Sequence, residues 1–267
     1  MPVLKLCFAQ TNSISESPEK NLNKAFSLAK EASLNSSDII IFPEQSATGW
    51  EPLSDKNISD YTGYIPQSFR NIAKDNSIGV LGSFRETGAK NPCNTSVFFD
   101  KAGVLLAKYS KIHLFNPGGE NKCFTPGDKP SIFTYKNVRF GLAICYDLRF
   151  SDLFTYYAKF GCECVIIQAA WPKLRMNHWE TLIHSRAIEN QYFVAGVNTT
   201  GKTPVDEYSG GSLLASPTGE TLMKADEKEG LYYAEIDSSL VLETRKNLDL
   251  LSDRRDDLYI GWNKNRF

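Results

Sequence analysis

A chain of 267 residues, 42% apolar and 12% aromatic, can bury a large core as one α/β domain or two small ones. Its net charge of −1 argues against nucleic acid or an anionic membrane surface as a bulk electrostatic partner, and no apolar run approaches the length of a membrane span. The six cysteines form no CxxC pair and the three histidines add no matching ligand spacing, so free thiols are expected, with no disulfide framework and no metal.

The first residues run straight into a strand over 3–9 without the long apolar segment of a secretion signal, which reads as a cytoplasmic protein. Ser17-Pro18 supplies a cap and a first-turn proline. Leu22, Ala25, Phe26 and Ala29 then recur at helical spacing, predicting a helix to about Ser33. Asp38 to Phe42 is a buried-strand run stopped by Pro43, with Glu44 directly after it. A turn-rich stretch with a short helix, Trp50 to Asn76, leads to a strand over 78–84. A hairpin follows, Thr95–Phe99 and Val104–Tyr109, around the charged turn Asp100-Lys101-Ala102-Gly103. Ser110-Lys111-Ile112-His113-Leu114 leaves that hairpin directly. The stretch Phe115 to Pro130, which carries Glu120, holds too many breakers for regular structure.

Phe140-Gly141-Leu142-Ala143-Ile144 reads as a buried strand that ends on Cys145, followed by Tyr146-Asp147-Leu148-Arg149 and the helix cap Ser151. A helix Ser151–Phe160, a strand Cys164–Ala169, a helix from Met176 to about Asn190 and a strand Tyr192–Val197 continue the alternation. Gly210–Ala215 and Leu231–Ile236 read as closing strands, with the turn Pro217-Thr218-Gly219 between them. The tail from Ser238 reads as a charged helix and an extended end carrying Trp262 and Phe267. Without a composition break or an internal repeat, the pattern is α/β layering in a single domain.

Glu44, Lys111 and Cys145 share a position: each follows the end of a predicted strand, where α/β sheets gather their ligand sites. A carboxylate can take the thiol proton, and an ammonium can lower the thiol pKa and then face an oxyanion. The backbone N–H of Tyr146 is a second candidate oxyanion donor. No G-x-S-x-G elbow offers a serine instead. Taken singly, Cys145 also fits a core position, Glu44 a cap and Lys111 the surface; only together, with their flanks, do they form a chemical set. Asp147 and Arg149 read as an ion pair bracing the cysteine turn, and His178 as a packing or interface histidine.

FPEQSATGW, YSKIHLF and GLAICYDLRF resemble, in this order, the three signature segments of the nitrilase, or carbon–nitrogen hydrolase, superfamily. AAWPKLRMNHWETLIHSRAIENQYFVAGVN and YSGGSLLASPTGE resemble its second half, and the W-P-x-x-R-x-x-H-W segment is similar to that of the omega-amidase branch. The resemblance implies a four-layer α-β-β-α sandwich over 1–267, a homodimer or higher homo-oligomer, and an extension from about 238 that takes part in dimer packing. It assigns Glu44 as general base, Lys111 as stabiliser of the tetrahedral intermediate, Cys145 as nucleophile and Glu120 as a supporting glutamate, with no cofactor. The expected substrate is a small amide with a carboxylate at its far end, such as 2-oxoglutaramate or 2-oxosuccinamate. Deaminated glutathione is the alternative amide, and a non-catalytic binding protein on this scaffold is the alternative of another class. Arg175 offers the distal carboxylate a bidentate cation, and Phe42, Trp171 and Tyr146 are the candidate apolar walls.

Overall fold

Side chains of the first strand alternate between two cores. Leu4, Leu6 and Phe8 join one apolar cluster, while Cys7 and Ala9 join another. A strand buried on both faces calls for a layer above and a layer below it, and the computed structural model, which describes residues 3–203 and 205–259, supplies both.

In chain order the elements are β1 (Val3–Gln10), α1 (Pro18–Leu34), β2 (Ile39–Ile41), α2 (Tyr64–Asn76), β3 (Gly79–Glu86), β4 (Cys93–Phe99), β5 (Leu105–Ser110), α3 (Glu120–Cys123), β6 (Ile132–Tyr135) and β7 (Val138–Ile144). There follow α4 (Ser151–Lys159), β8 (Cys164–Ala169), α5 (Met176–Asn190), β9 (Phe193–Asn198), β10 (Thr200–Lys202), β11 (Glu207–Ser209), β12 (Leu213–Ala215), β13 (Thr221–Lys224), β14 (Gly230–Asp237) and α6 (Ser238–Asn247). One six-stranded sheet runs β14-β1-β2-β3-β4-β5 and the other β13-β12-β9-β8-β7-β6. Helices α1 and α2 close the outer face of the first sheet over Ala9, Ile40 and Val80; α4 and α5 close the second over Ala143, Val165 and Val194. The sheets face each other through residues such as Phe8, Ile41 and Phe98 on one side and Phe133 and Leu142 on the other. The architecture is the expected four-layer sandwich.

Close helix–sheet approach depends on glycine at two places. A Cβ on Gly141 of β7 would lie 2.7 Å from the Tyr157 ring of α4, and one on Gly82 of β3 would lie 2.6 Å from the Phe69 ring of α2. The sheets are also tied to each other by a polar group. Gln168 of β8, fully buried, donates through Nε2 to the carbonyl of Phe42 at 2.6 Å, and its Oε1 accepts from the Ser96 hydroxyl of β4.

Several elements depart from the sequence reading. Phe115–Pro130 is partly regular, with a 3-10 turn at Asn116–Gly118 and the one-turn helix α3 that begins on Glu120. Strand β6 and the ribbon β10–β11 fall in stretches to which the sequence reading assigned no element. The predicted strand Gly210–Ala215 shrinks to Leu213–Ala215, because Gly210 and Gly211 both take positive φ, +63° and +70°. The tail folds back along its own chain: Arg245 donates to the carbonyl of Cys162 at 3.0 Å, and Lys159 pairs with Asp256. Trp262 and Phe267 lie outside the described residues.

Candidate active site

Within the first sheet β1, β2 and β3 run parallel, and β3, β4 and β5 alternate, so β2 and β5 point the same way. Glu44 follows β2 and Lys111 directly follows β5, both at carboxyl ends; Cys145 directly follows β7 in the facing sheet. The site is therefore assembled from both sheets across the central core.

All of its charged groups are out of contact with water. The Glu44 and Lys111 side chains have no exposure, Glu120 likewise, and Cys145 keeps 9%. Lys111 Nζ donates to Glu44 Oε1 at 2.8 Å and to Glu120 Oε2 at 2.9 Å. Asn94 Nδ2, at the start of β4, donates to both glutamates, at 2.7 Å to Glu44 Oε1 and 3.0 Å to Glu120 Oε1. Glu44 Oε2 accepts from the Ala170 N–H at 2.9 Å and Glu120 Oε2 from the Phe115 N–H at 2.7 Å. The Cys145 thiol stands beside Glu44 and the Ala170 N–H, near enough for both to act on its titration. Such dense satisfaction is what keeps a buried carboxylate–ammonium–carboxylate set from being prohibitive.

The electrostatics follow from burial. Burial pushes the Glu44 carboxyl above its ordinary value, with the charge of Glu120 adding to the push and Lys111 opposing it. Burial alone would pull the Lys111 ammonium down, yet the charges of Glu120 and Glu44 hold it well above the ordinary lysine value. For Cys145, burial and then the Glu44 charge outweigh the pull of Lys111, and the thiol stands well above the ordinary value. The ammonium thus pulls the thiol down as expected, but not far enough to bring it below the ordinary value. At neutral pH Cys145 is a thiol, which suits attack with proton transfer to Glu44 in the same step.

The cysteine turn is strained and braced. Cys145 sits at φ +46°, left-handed backbone that costs a residue with a side chain about 1–3 kcal/mol. Asp147, with no exposure, ties the turn down: Oδ2 accepts from the Ile144 N–H at 2.9 Å and from the Tyr109 hydroxyl at 2.7 Å, and Oδ1 from the His113 N–H at 2.9 Å. Tyr109 and His113 flank Lys111, so one carboxylate registers the lysine segment against the cysteine turn. The predicted Asp147–Arg149 pair is not formed. In a 3-10 turn residues two apart point in different directions, and the Arg149 guanidinium lies instead 4.7 Å from the Trp171 ring centre and 3.3 Å from His178 Nδ1.

Cys145 opens onto a cavity of about 250 Å³ whose walls include Trp50, Tyr146, Arg149, Trp171 and Arg175. Tyr146, Trp171 and Arg175 thus stand where the sequence placed them. Phe42 does not: by strand alternation it follows Ile40 to the helix side and packs on Phe69, ring centres 6.2 Å apart, with its carbonyl bound to Gln168. The sequence reading missed Asn94, Trp50 and Arg149. Trp50 closes the FPEQSATGW segment and was available there, whereas Asn94 lies in a strand run with no local mark of its role.

A family profile described as carbon-nitrogen hydrolase matches residues 5–246. The chain belongs to the carbon–nitrogen hydrolase family. Among its relatives, this hydrolase is 34% identical over 245 residues to the 2-oxoglutaramate amidase of Bacillus subtilis, a match covering 91% of this chain and 94% of that one. It is 35% identical over 260 residues to the omega-amidase NIT2 of Homo sapiens, covering 92% and 93%. In three dimensions it superposes on a CN-hydrolase superfamily protein of Xanthomonas campestris, which carries an arsenic adduct in its active site, with a TM-score of 0.90 at 25% identity, covering 95% and 98%. The fold is also that of an amidase from Nesterenkonia, with a TM-score of 0.88 at 24% identity and coverage of 97% and 99%.

Proposed function

We propose that this carbon–nitrogen hydrolase is an omega-amidase that converts a short 2-oxo dicarboxylate monoamide, 2-oxoglutaramate or 2-oxosuccinamate, to the dicarboxylic acid and ammonia. One observation carries the reading: the Cys145 thiol, beside Glu44 and Lys111, opens onto a small cavity that holds two guanidiniums, Arg149 and Arg175. Neither forms an ion pair with a carboxylate among the described residues; Arg149 lies over the Trp171 ring and beside His178 Nδ1, and Arg175 lies 5.7 Å from the Phe115 ring centre. Unpaired guanidiniums in an aromatic-walled cavity match a carboxylate at the far end of the substrate. The names of the Bacillus and human relatives agree with this substrate class.

In this reading Cys145 Sγ attacks the amide carbonyl carbon as its proton passes to Glu44. The Lys111 ammonium and the Tyr146 N–H hold the oxyanion. Glu44 returns the proton to the departing nitrogen, ammonia leaves, and a thioester remains on Cys145. Glu44 then takes a proton from water, the hydroxide adds to the thioester, and the thiolate leaves with that proton, releasing the acid. Glu120 and Asn94 act by holding Lys111 and Glu44 in place.

Two finer readings accompany the proposal. The protein works in the cytoplasm, consistent with no described helix being long and apolar enough to cross a membrane. It works as a homodimer with the segment from about 238 in the contact, supported by the exposed Phe160, Leu242 and Leu248 around α4 and α6.

Ammonia release from 2-oxoglutaramate, deaminated glutathione and a neutral short amide tests the reading. The expected order favours 2-oxoglutaramate, and Cys145→Ser should fold yet lose nearly all turnover. Equal rates on the neutral amide, or an active Cys145→Ala, would overturn it.

A further inference from the structure

Strand β2 stops at Ile41, paired with Leu81, while β3 continues to Glu86. The edge of β3 beyond Leu81 is taken up by the segment 42–59, which carries Glu44 near its start and Trp50 on the cavity wall. That segment holds Gln45 at φ +46° and Gly49 at φ +73°. Glycine takes such a φ freely, but at Gln45 the left-handed backbone is strained and persists only when its surroundings over-determine it.

Arg85 of β3 provides the determination. Its side chain has no exposure. Nε donates to Gln45 Oε1 at 3.1 Å, beside Glu44. Nη1 donates to Glu16 Oε1 at 2.8 Å, the Lys56 carbonyl at 2.9 Å and Ser54 Oγ at 3.2 Å. Nη2 donates to the carbonyls of Gly49 and Glu51, both at 3.3 Å, one on each side of Trp50. The Arg85 carbonyl accepts from the Ser59 N–H at 3.0 Å, closing the far end of the segment. Partial burial pushes Glu16 upward, but its hydrogen bond to Arg85 holds the carboxyl below the usual value, so the counter-charge persists at neutral pH.

From this convergence we infer that Arg85 is a positioning residue for the reaction: its planar fork sets the general base, through Gln45, and the cavity wall, through both flanks of Trp50, in one rigid arrangement. The inference rests on the reading that Glu44 and Cys145 hydrolyse an amide. A lysine at this position keeps the charge opposite Glu16 but cannot span Gln45, Gly49 and Glu51 together.

Arg85→Lys and Arg85→Met test it on the full chain. Folding is followed by circular dichroism and melting, turnover by kcat and KM for 2-oxoglutaramate, and the base by the pH dependence of iodoacetamide alkylation at the Cys145 peptide. The expected result is a folded Arg85→Lys whose kcat/KM is down on the order of 10- to 100-fold, with kcat lowered, KM raised and the acid limb of the alkylation profile displaced. Arg85→Met should fall further. A folded variant with parental kcat, KM and alkylation profile and only a lower melting temperature would overturn the inference, since a purely structural role changes nothing else. If Arg85→Met does not fold, Arg85→Lys decides. A parent protein that releases no ammonia from any amide would sink the amidase reading, while the alkylation profile still decides the role of Arg85.

Discussion

At Glu44 three donors converge on one carboxylate, Lys111, Asn94 and the Ala170 N–H, with the Cys145 thiol beside it. Burial still keeps the acid above its ordinary pKa. The acid limb of kcat/KM should therefore lie above the usual carboxylate range, with activity lost as pH falls through the Glu44 pKa. Lys111 is held well above its ordinary value, so its deprotonation sets no limb at mildly alkaline pH. Stability carries the opposite sign. A folded-state pKa raised above the unfolded value means that the native state binds the extra proton, so stability falls as pH rises through that window. Glu44→Gln should be inactive, and its melting temperature relative to the parent should be higher at pH 8 than at pH 5. A gap that is constant across pH would contradict this. Residues that combine a chemical type with a distinctive flank, Glu44, Lys111 and Cys145, were legible in the sequence. Asn94 was not, because its role exists only where β4 passes between two glutamates brought in by β2 and α3.

The 3-10 turn Cys145–Arg149 shows how an element can be legible in place and illegible in detail. Its position at a strand end followed from the apolar run 140–144. Its internal wiring did not, since Asp147 and Arg149 look like partners by charge and are separated by turn geometry. Asp147 instead accepts from Ile144, Tyr109 and His113, two of which lie in the lysine segment. Asp147→Asn would turn a donor toward those donors and forfeit charge-assisted bonds in a buried site. We expect a loss of about 2–4 kcal/mol in urea unfolding, from hydrogen bonds to charge of about 1.5–3 kcal/mol each. Cys145 alkylation should slow as well. Unchanged stability would show that the brace is dispensable. The short β10–β11 ribbon and β6 were missed for a related reason: three- and four-residue strands carry too little periodicity to stand out from a loop.

For the molecule as a whole, the layering was readable because helices and strands alternate along the chain and the strands carry continuous apolar runs. That the ends of β2, β5 and β7 meet was readable only from the flanks of Glu44, Lys111 and Cys145 and the resemblance they carry, since the pattern of strands alone does not say how one sheet sits on the other. Gln168 fixes this relation at one point, binding the Phe42 carbonyl two residues before Glu44 and lying two residues before Ala170, whose N–H donates to Glu44 beside the thiol. The site thus works as a vernier between the two sheets. A slide of an ångström along their interface would leave every helix and strand hydrogen bond intact while taking the carboxylate off the thiol. Turnover should accordingly fade at urea concentrations where far-ultraviolet circular dichroism is still native, and Gln168→Met should widen the interval between the two transitions. Coincident transitions in both proteins would mean that the sheets part only when the chain unfolds.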